Sequence, residues 1–502
     1  MFEVYKPLRN NLRKYELVEA LIASHRFIQY LDFDIDLPPY LAPPRDLSKI
    51  GKMRMGLVQW EFEILIREII LNCSPKVGKK LNSWSEVADK INRIKSIENE
   101  VWGGSEDRQN DILYELVRIA HRQFPWQRGF SQEFLARYHW LYRQDGIREI
   151  LLDEYGLNAT QLFQIALAIS GHFMKEMSFR LPLQNLINDA PAESVAGLLD
   201  RFTISVGDLR KSYENAAEYN INWAYTFNPL RQTPLVRLGD YLLCPIPSFL
   251  IRRVTSEIYF DLVRHEDKFS RHYGPAVQNL VGRTFEAQNC NDNLSILGEE
   301  RFGKRGKEKD SIDWIVSDAT GHVFVECKSA RIKYRGISDL TDQGFIIGEF
   351  HRIRAFALQA YKTLALALAG EYPHWAPDSK PVFVMIVTLE DWQSFGIHID
   401  KHVMEPLRNE LKEAGIDPEI TISCPLSMCP VHDLEFAAHV FSEATILDVL
   451  RQKSEGEYPQ WAMATYLGQH YSEHADDFKT VTCTEEWSQI MPKGRSRPRG
   501  RI

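Results

Sequence analysis

The chain has 502 residues, of which 44% are hydrophobic, 25% charged and 11% aromatic. That length exceeds what one hydrophobic core supports, so two or three domains are expected, and nothing in the composition suggests extensive disorder. A formal charge of −8 repels a polyanion at long range, so any nucleic-acid surface must be local.

The first residues, MFEVYKPLRNNLRKYELVEALIAS, lack the apolar core of a secretory signal, and no run reaches the roughly 18 apolar residues of a membrane span. A cytoplasmic protein without membrane contact is the expectation. Seven widely scattered cysteines do not suggest a disulfide framework. The nearest pair, Cys424 and Cys429, has no companion Cys/His pair for a structural zinc site.

Residues 1–225 read as a largely helical domain for recognition or regulation. Apolar positions recur at helical spacing in 56–72 and 157–177, and Asn158 or Thr160 is placed to cap the second of these. No phosphate-binding loop occurs: Gly78-Lys79-Lys80 lacks both the leading glycine and the hydroxyl residue. Prolines break short apolar runs in 226–269, which reads as a connecting segment. From there the pattern predicts a helix at 274–289, a strand at 294–299, strands at 311–317 and 322–328, a helix at 348–369 and a strand at 381–390, an αβββαβ order within 270–392. Residues 393–490 read as a C-terminal α/β extension, with EPLRNELKEAG helical and ITISC (420–424) strand-like. A basic tail fills 491–502, carrying Lys493, Arg495, Arg497, Arg499 and Arg501. The fold class is α/β (α+β), multidomain.

The chemistry concentrates in SIDWIVSDATGHVFVECKSA, two apolar strands joined by Asp318-Ala319-Thr320-Gly321. With a loop centred between Ala319 and Thr320, Asp313 stands opposite Glu326, and opposed residues share a face with β-carbons roughly 4.5–5.5 Å apart. Period two places Lys328 on that face as well. Both faces are otherwise apolar, as expected of a covered central strand, so two carboxylates there are costly without a cation. A hard divalent ion suits them, and Lys328 could hold a phosphate oxygen or orient and help deprotonate an attacking water. The other Glu-x-Lys triplets, at Glu266 and Glu410, sit in polar helix-like contexts without an opposed aspartate.

These residues resemble the PD-(D/E)XK nuclease superfamily, in which an Asp and the Glu-x-Lys of the next strand form the site of an αβββαβ, restriction-endonuclease-like core. The resemblance covers roughly a quarter of the chain and implies a Mg2+-dependent phosphodiesterase, with Mn2+ as a substitute and DNA a likelier polymer than RNA. It makes Asp313, Glu326 and Lys328 catalytic and adds Glu286 on the first core helix as a third carboxylate. The Cys327 main-chain carbonyl becomes a further metal donor. Some members carry Gln and Tyr four apart on the next helix; here Gln359 and Tyr361 are two apart, so that signature is not met. A helical domain beside such a core resembles the layout of bacterial restriction or antiphage effectors, which implies endonuclease activity, an activating partner and a homo-oligomer as candidates. Lys304, Arg305, Lys307 and Lys309 before the site, and Arg331, Lys333 and Arg335 after it, are the candidate nucleic-acid contacts. The rival readings are an RNA-cleaving nuclease and a nucleic-acid-binding scaffold with an inactive nuclease fold.

Overall fold

A computed structural model describes residues 2–45, 47–103, 119–120, 122–127, 129–181, 190–216, 219, 222–289, 291–331, 343–392 and 399–491. It is a mixed α/β structure in two compact units: residues 1–131, 148–264 and 489–502 in the first, 132–147 and 265–488 in the second. Among the described residues no helix is long and apolar enough to cross a membrane.

The first unit is built around the helix Gln59–Asn72, which is buried continuously from Trp60 to Ile70 and packs against Leu17–Asp32. A helix buried on all sides belongs in a core, and its charges find partners there. Arg67 bridges Glu68 at 3.0 Å, while Glu63 accepts from Arg231 at 2.7 Å and from the Trp126 indole at 3.1 Å. In the helix Ala159–Phe173, Asn158 is the cap and forms a reciprocal box with Gln161.

The expected connecting segment is largely part of this unit. Within it β3 (Leu235–Leu238) and β4 (Tyr241–Leu243) form a hairpin over Gly239-Asp240, Gly239 lying at φ 58°, and join β1 (Ser178–Arg180) and β2 (Thr203–Ser205) in a sheet ordered β1-β4-β3-β2. Pro247 then opens the helix Pro247–Val254, which packs on Ala159–Phe173. The prolines that look like linker punctuation bound short, fully paired elements.

The second unit contains α1 (Gln132–Tyr142), α2 (Asp267–Gln288), α3 (Gln343–Leu368), α4 (Glu405–Glu413), α5 (Val431–Glu443) and α6 (Ile446–Lys453). Its sheet holds β5 (Ser295–Gly298), β8 (Trp314–Ser317), β9 (His322–Lys328), β10 (Val382–Thr388) and β11 (Leu426–Pro430), in the order β11-β10-β9-β8-β5. β9, β10 and β11 run parallel; β8 is antiparallel to β9 and to β5. A two-stranded ribbon, β6 (Arg301–Phe302) with β7 (Lys309–Asp310), is inserted between β5 and β8.

Helices cover both faces. On one, the Trp314 indole donates to the Gln278 carbonyl of α2 at 2.9 Å, and α2 approaches so closely at Gly282 that a β-carbon there would lie 2.1 Å from the ring. On the other, α3 packs on β9 and β10, while Phe324 meets Tyr372 and Trp375. β11 and α5 belong to this same body, α5 packing on α2, so the chain beyond 399 completes the sheet and its cover. The predicted strand at 420–424 is instead a short helix, Ile420–Ser423, started where Asp417 accepts the Glu419 amide; the strand is the next stretch, β11.

Candidate active site

The β8–β9 turn fixes the register on which the site depends. Asp318 accepts from the Thr320 and Gly321 amides through Oδ1 and from the Ile446 amide of α6 through Oδ2. At the strand ends the Ser317 hydroxyl meets His322 Nδ1 at 2.7 Å, and His322 Nε2 meets Asp378 at 3.0 Å. The pairs that follow run to Trp314 opposite Val325. Continuing this register by one residue, into the bend that precedes β8, sets Asp313 against Glu326, as expected from the turn.

The β5–β8 ladder ends with Gly298 opposite Trp314, and Glu299 and Asp313 are the residues that flank this last pair. Opposed residues share a face. Asp313 and Glu326 thus lie beside each other, with Lys328 two residues along β9 on the same side, while Glu299 follows the end of β5 and its carboxylate accepts from Gln278 of α2 at 3.2 Å.

Asp313 Oδ2 accepts the Cys327 amide at 2.6 Å, and Glu326 is only 3% exposed. The Lys328 ammonium lies 2.6 Å from Glu326 and 2.9 Å from the Gln359 side-chain oxygen on α3, and 5.2 Å from the centre of the Phe356 ring. Burial, and next the charge of Glu326, push the Asp313 carboxyl above its ordinary range; the Cys327 amide and Lys328 oppose the shift. Burial likewise raises Glu326, and Lys328 counteracts it. Glu299 adds a smaller push on both.

Two desolvated carboxylates that resist ionising together are the donor set a hard divalent cation relieves. Among the described residues no group of three His, Cys, Asp or Glu side chains stands close enough to share one ion. A carboxylate pair would fit Mg2+, because that ion keeps several waters and takes one or two protein carboxylates. The Cys327 carbonyl suits a further donor. A strand residue points its amide and carbonyl to the same edge, and the Cys327 amide faces Asp313 whereas the Lys328 carbonyl accepts Leu389 of the β10 side. The thiol of Cys327 is a poor ligand: burial, then the two carboxylates, push it well above its ordinary range.

The other expected residues are placed differently. Glu286 is exposed on α2, and α2 covers the Trp314 face, opposite the carboxylate pair. It does not join Asp313. The further carboxylate whose charge acts on Asp313 and Glu326 is Glu299, a residue that pattern reading missed. Glu299 is exposed at the end of the edge strand and accepts from Gln278 of α2 at 3.2 Å.

Lys304, Arg305, Lys307 and Lys309 are all exposed on the β6–β7 ribbon, whose base is tied by Arg301 and Asp310 at 2.8 Å. The ribbon leaves the sheet between Glu299 and Asp313, so these cations are carried by the segment that leads into Asp313. Arg331 is not a surface cation: it is 4% exposed and bonded to Tyr138 at 2.9 Å and Tyr273 at 3.1 Å, with Glu390 at 3.3 Å. Its guanidinium is committed to the interior and is not presented to a phosphate. Lys333, Arg335 and the basic residues of the tail lie outside the described residues. Tyr361 is buried with its hydroxyl on the Cys424 carbonyl, whereas Gln359 stands at Lys328.

No family model matches the chain, and no curated protein does. A solved structure of the restriction endonuclease FokI bound to DNA aligns over 86% of this chain and 96% of that one, with 11% identity and a TM-score of 0.18. At that score the two backbones do not superimpose as one fold.

Proposed function

We propose that the second unit is a metal-dependent nuclease of the PD-(D/E)XK type that hydrolyses phosphodiester bonds, DNA before RNA. The observation that carries this reading is the half-buried Asp313 beside the buried Glu326, the former on the Cys327 amide and the latter on Lys328. Such a pair costs stability unless it serves a cation.

Asp313 and Glu326 would hold Mg2+, with the Cys327 carbonyl as a further donor. When bound, the ion lowers the pKa of an attacking water and offsets charge on the phosphoryl oxygens. Asp313 is steadied by the Cys327 amide through one oxygen, which leaves the other for the ion. An ammonium has three donors; Glu326 and Gln359 take two of those on Lys328, and the third is available to a phosphoryl oxygen or the attacking water. Glu299 adds negative charge near the pair, which favours a cation there. The ribbon carrying Lys304, Arg305, Lys307 and Lys309 supplies phosphate contacts that position a strand without reading its sequence. One such site cuts one strand, so double-strand breaks require two copies or two nicks.

The test is cleavage of labelled plasmid, linear duplex, single-stranded DNA and structured RNA, each with Mg2+, Mn2+ or EDTA. Metal-dependent cutting of DNA ahead of RNA is expected. Faster cutting of RNA would reassign the substrate, and binding without cutting of any polymer would favour the scaffold reading.

A further inference from the structure

The helix α1 belongs to the second unit, yet the chain enters it from residue 131 and leaves it at 148, both assigned to the first. Two close approaches dock it on α2. Gly146, at φ 79° just beyond α1, sits where a β-carbon would lie 2.3 Å from the His272 ring, and the Arg283 guanidinium lies 5.7 Å from the centre of Trp140. Its residue at the strand ends is Tyr138, 4% exposed. The Tyr138 hydroxyl donates to Glu390 at 2.6 Å and accepts from Arg331 at 2.9 Å, and the guanidinium lies 5.3 Å from the centre of its ring.

Arg331 and Glu390 are the tails of the strands that carry the site. Lys328 is the register partner of Thr388, and the Leu389 amide donates to the Lys328 carbonyl at 3.1 Å. Arg331 comes three residues after Lys328, and Glu390 two after Thr388. The cluster of Arg331, Glu390, Tyr138 and Tyr273 therefore ties the ends of β9 and β10 together immediately past the proposed catalytic lysine. It reaches α3 too: the Arg331 carbonyl accepts from Arg352 at 3.1 Å, and α3 carries Gln359, which holds the Lys328 ammonium two turns further on.

We infer that Tyr138 is a positioning residue, a latch through which docking of α1 sets the place of Lys328, so that the chain leading into and out of α1 regulates cutting. This rests on the nuclease reading above. Within the cluster Tyr138 alone comes from outside the continuous segment 265–488. Tyr273 belongs to the long helix α2, and Arg331 and Glu390 follow directly on β9 and β10. Burial keeps its hydroxyl protonated and hence a donor to Glu390. A displaced α1 would leave Arg331 and Glu390 to repack and would release the Lys328–Ala330 backbone.

The experiment compares wild type with Tyr138→Phe, which keeps the ring and removes the latch oxygen, and with Glu390→Gln, which weakens the same hydrogen bond from the strand side and leaves the sequence of α1 unchanged. Three quantities are read: single-turnover cleavage rate, DNA affinity in Ca2+, and amide exchange of the 328–331 and 389–391 backbone. Each substitution is expected to slow cleavage about tenfold or more, the size of one hydrogen bond to a charged group. Affinity should stay within about twofold. The double variant should be no slower than the slower single one, as for members of one network, and exchange should accelerate in those two stretches but not along α2. Unchanged rate and exchange in both folded variants would overturn the latch, as would a loss that appears wholly in affinity. If Tyr138→Phe does not fold, Glu390→Gln gives the same readings. If the wild type cuts no polymer, the nuclease reading fails, and exchange still decides the latch: faster exchange at 328–331 upholds it and unchanged exchange overturns it.

Discussion

Replacing Asp313 by Asn should stabilise the metal-free protein while disabling it. The register sets the β-carbons of Asp313 and Glu326 roughly 5 Å apart. At an effective dielectric constant of about 20 two unit charges at that separation repel by about 3 kcal/mol. Lys328, 2.6 Å from Glu326, offsets part of this, leaving about 2 kcal/mol to be gained when one carboxylate becomes neutral. Asparagine keeps the oxygen that accepts the Cys327 amide, so no buried donor is orphaned. For a unit of roughly 150–250 residues that gain corresponds to about 4–8 °C in Tm. The sign with pH follows from the direction of the shifts: both carboxyls lie above their ordinary values in the fold. The associated stability is thus fully present below the ordinary carboxylate range and is lost as pH rises through the raised values. The assay is thermal or urea unfolding of both proteins in EDTA at several pH values, then with Mg2+. The advantage of Asp313→Asn should be small in acid and grow with pH, and Mg2+ should close the gap by stabilising wild type alone. A variant less stable than wild type at about pH 8 without metal would refute the reasoning, and so would a pH-independent difference.

Removing the opposite charge should act in the opposite direction: Lys328→Met leaves Glu326 buried without its ion pair and should cost about 2–3 kcal/mol in urea unfolding. Gly282→Ala should cost about 1–3 kcal/mol and alter tryptophan fluorescence, because the added methyl falls on the Trp314 ring. Glu299→Gln should slow cleavage about tenfold whereas Glu286→Gln should leave it unchanged; equal effects would remove Glu299 from the site's function. Neutralising Lys304, Arg305 and Lys307 together should weaken duplex binding and lower the slope of log affinity against log salt by roughly 0.9 for each phosphate no longer neutralised. An unchanged slope would place the DNA elsewhere.

The central hairpin is legible in the sequence because its information is local. Turn residues at Asp318 and Gly321 centre the loop, and equal counting from that centre pairs Asp313 with Glu326. Glu299 cannot be found that way, since the β6–β7 ribbon separates β5 from β8 and breaks the count that would align them. Glu286 qualifies by its place on a helix, but which face of α2 meets the sheet is settled by Gly282 beneath Trp314, a packing partner 32 residues away in the chain. Arg331 looks like a surface cation in the sequence because the tyrosines and carboxylate that bury it come from positions 138, 273 and 390. The same nonlocality hides the membership of 132–147 in the second unit, while ITISC shows β-branched residues yielding to the turn begun at Asp417.

The most direct test of the proposed site is cleavage of end-labelled duplex DNA by wild type and Asp313→Asn, each with Mg2+ and with EDTA, alongside unfolding curves showing both proteins folded. Cutting by wild type in Mg2+ alone, reduced about a hundredfold or more in the variant, is the expected result. Equal cutting by the two folded proteins would contradict it, because the pair Asp313 and Glu326 would then not be the site.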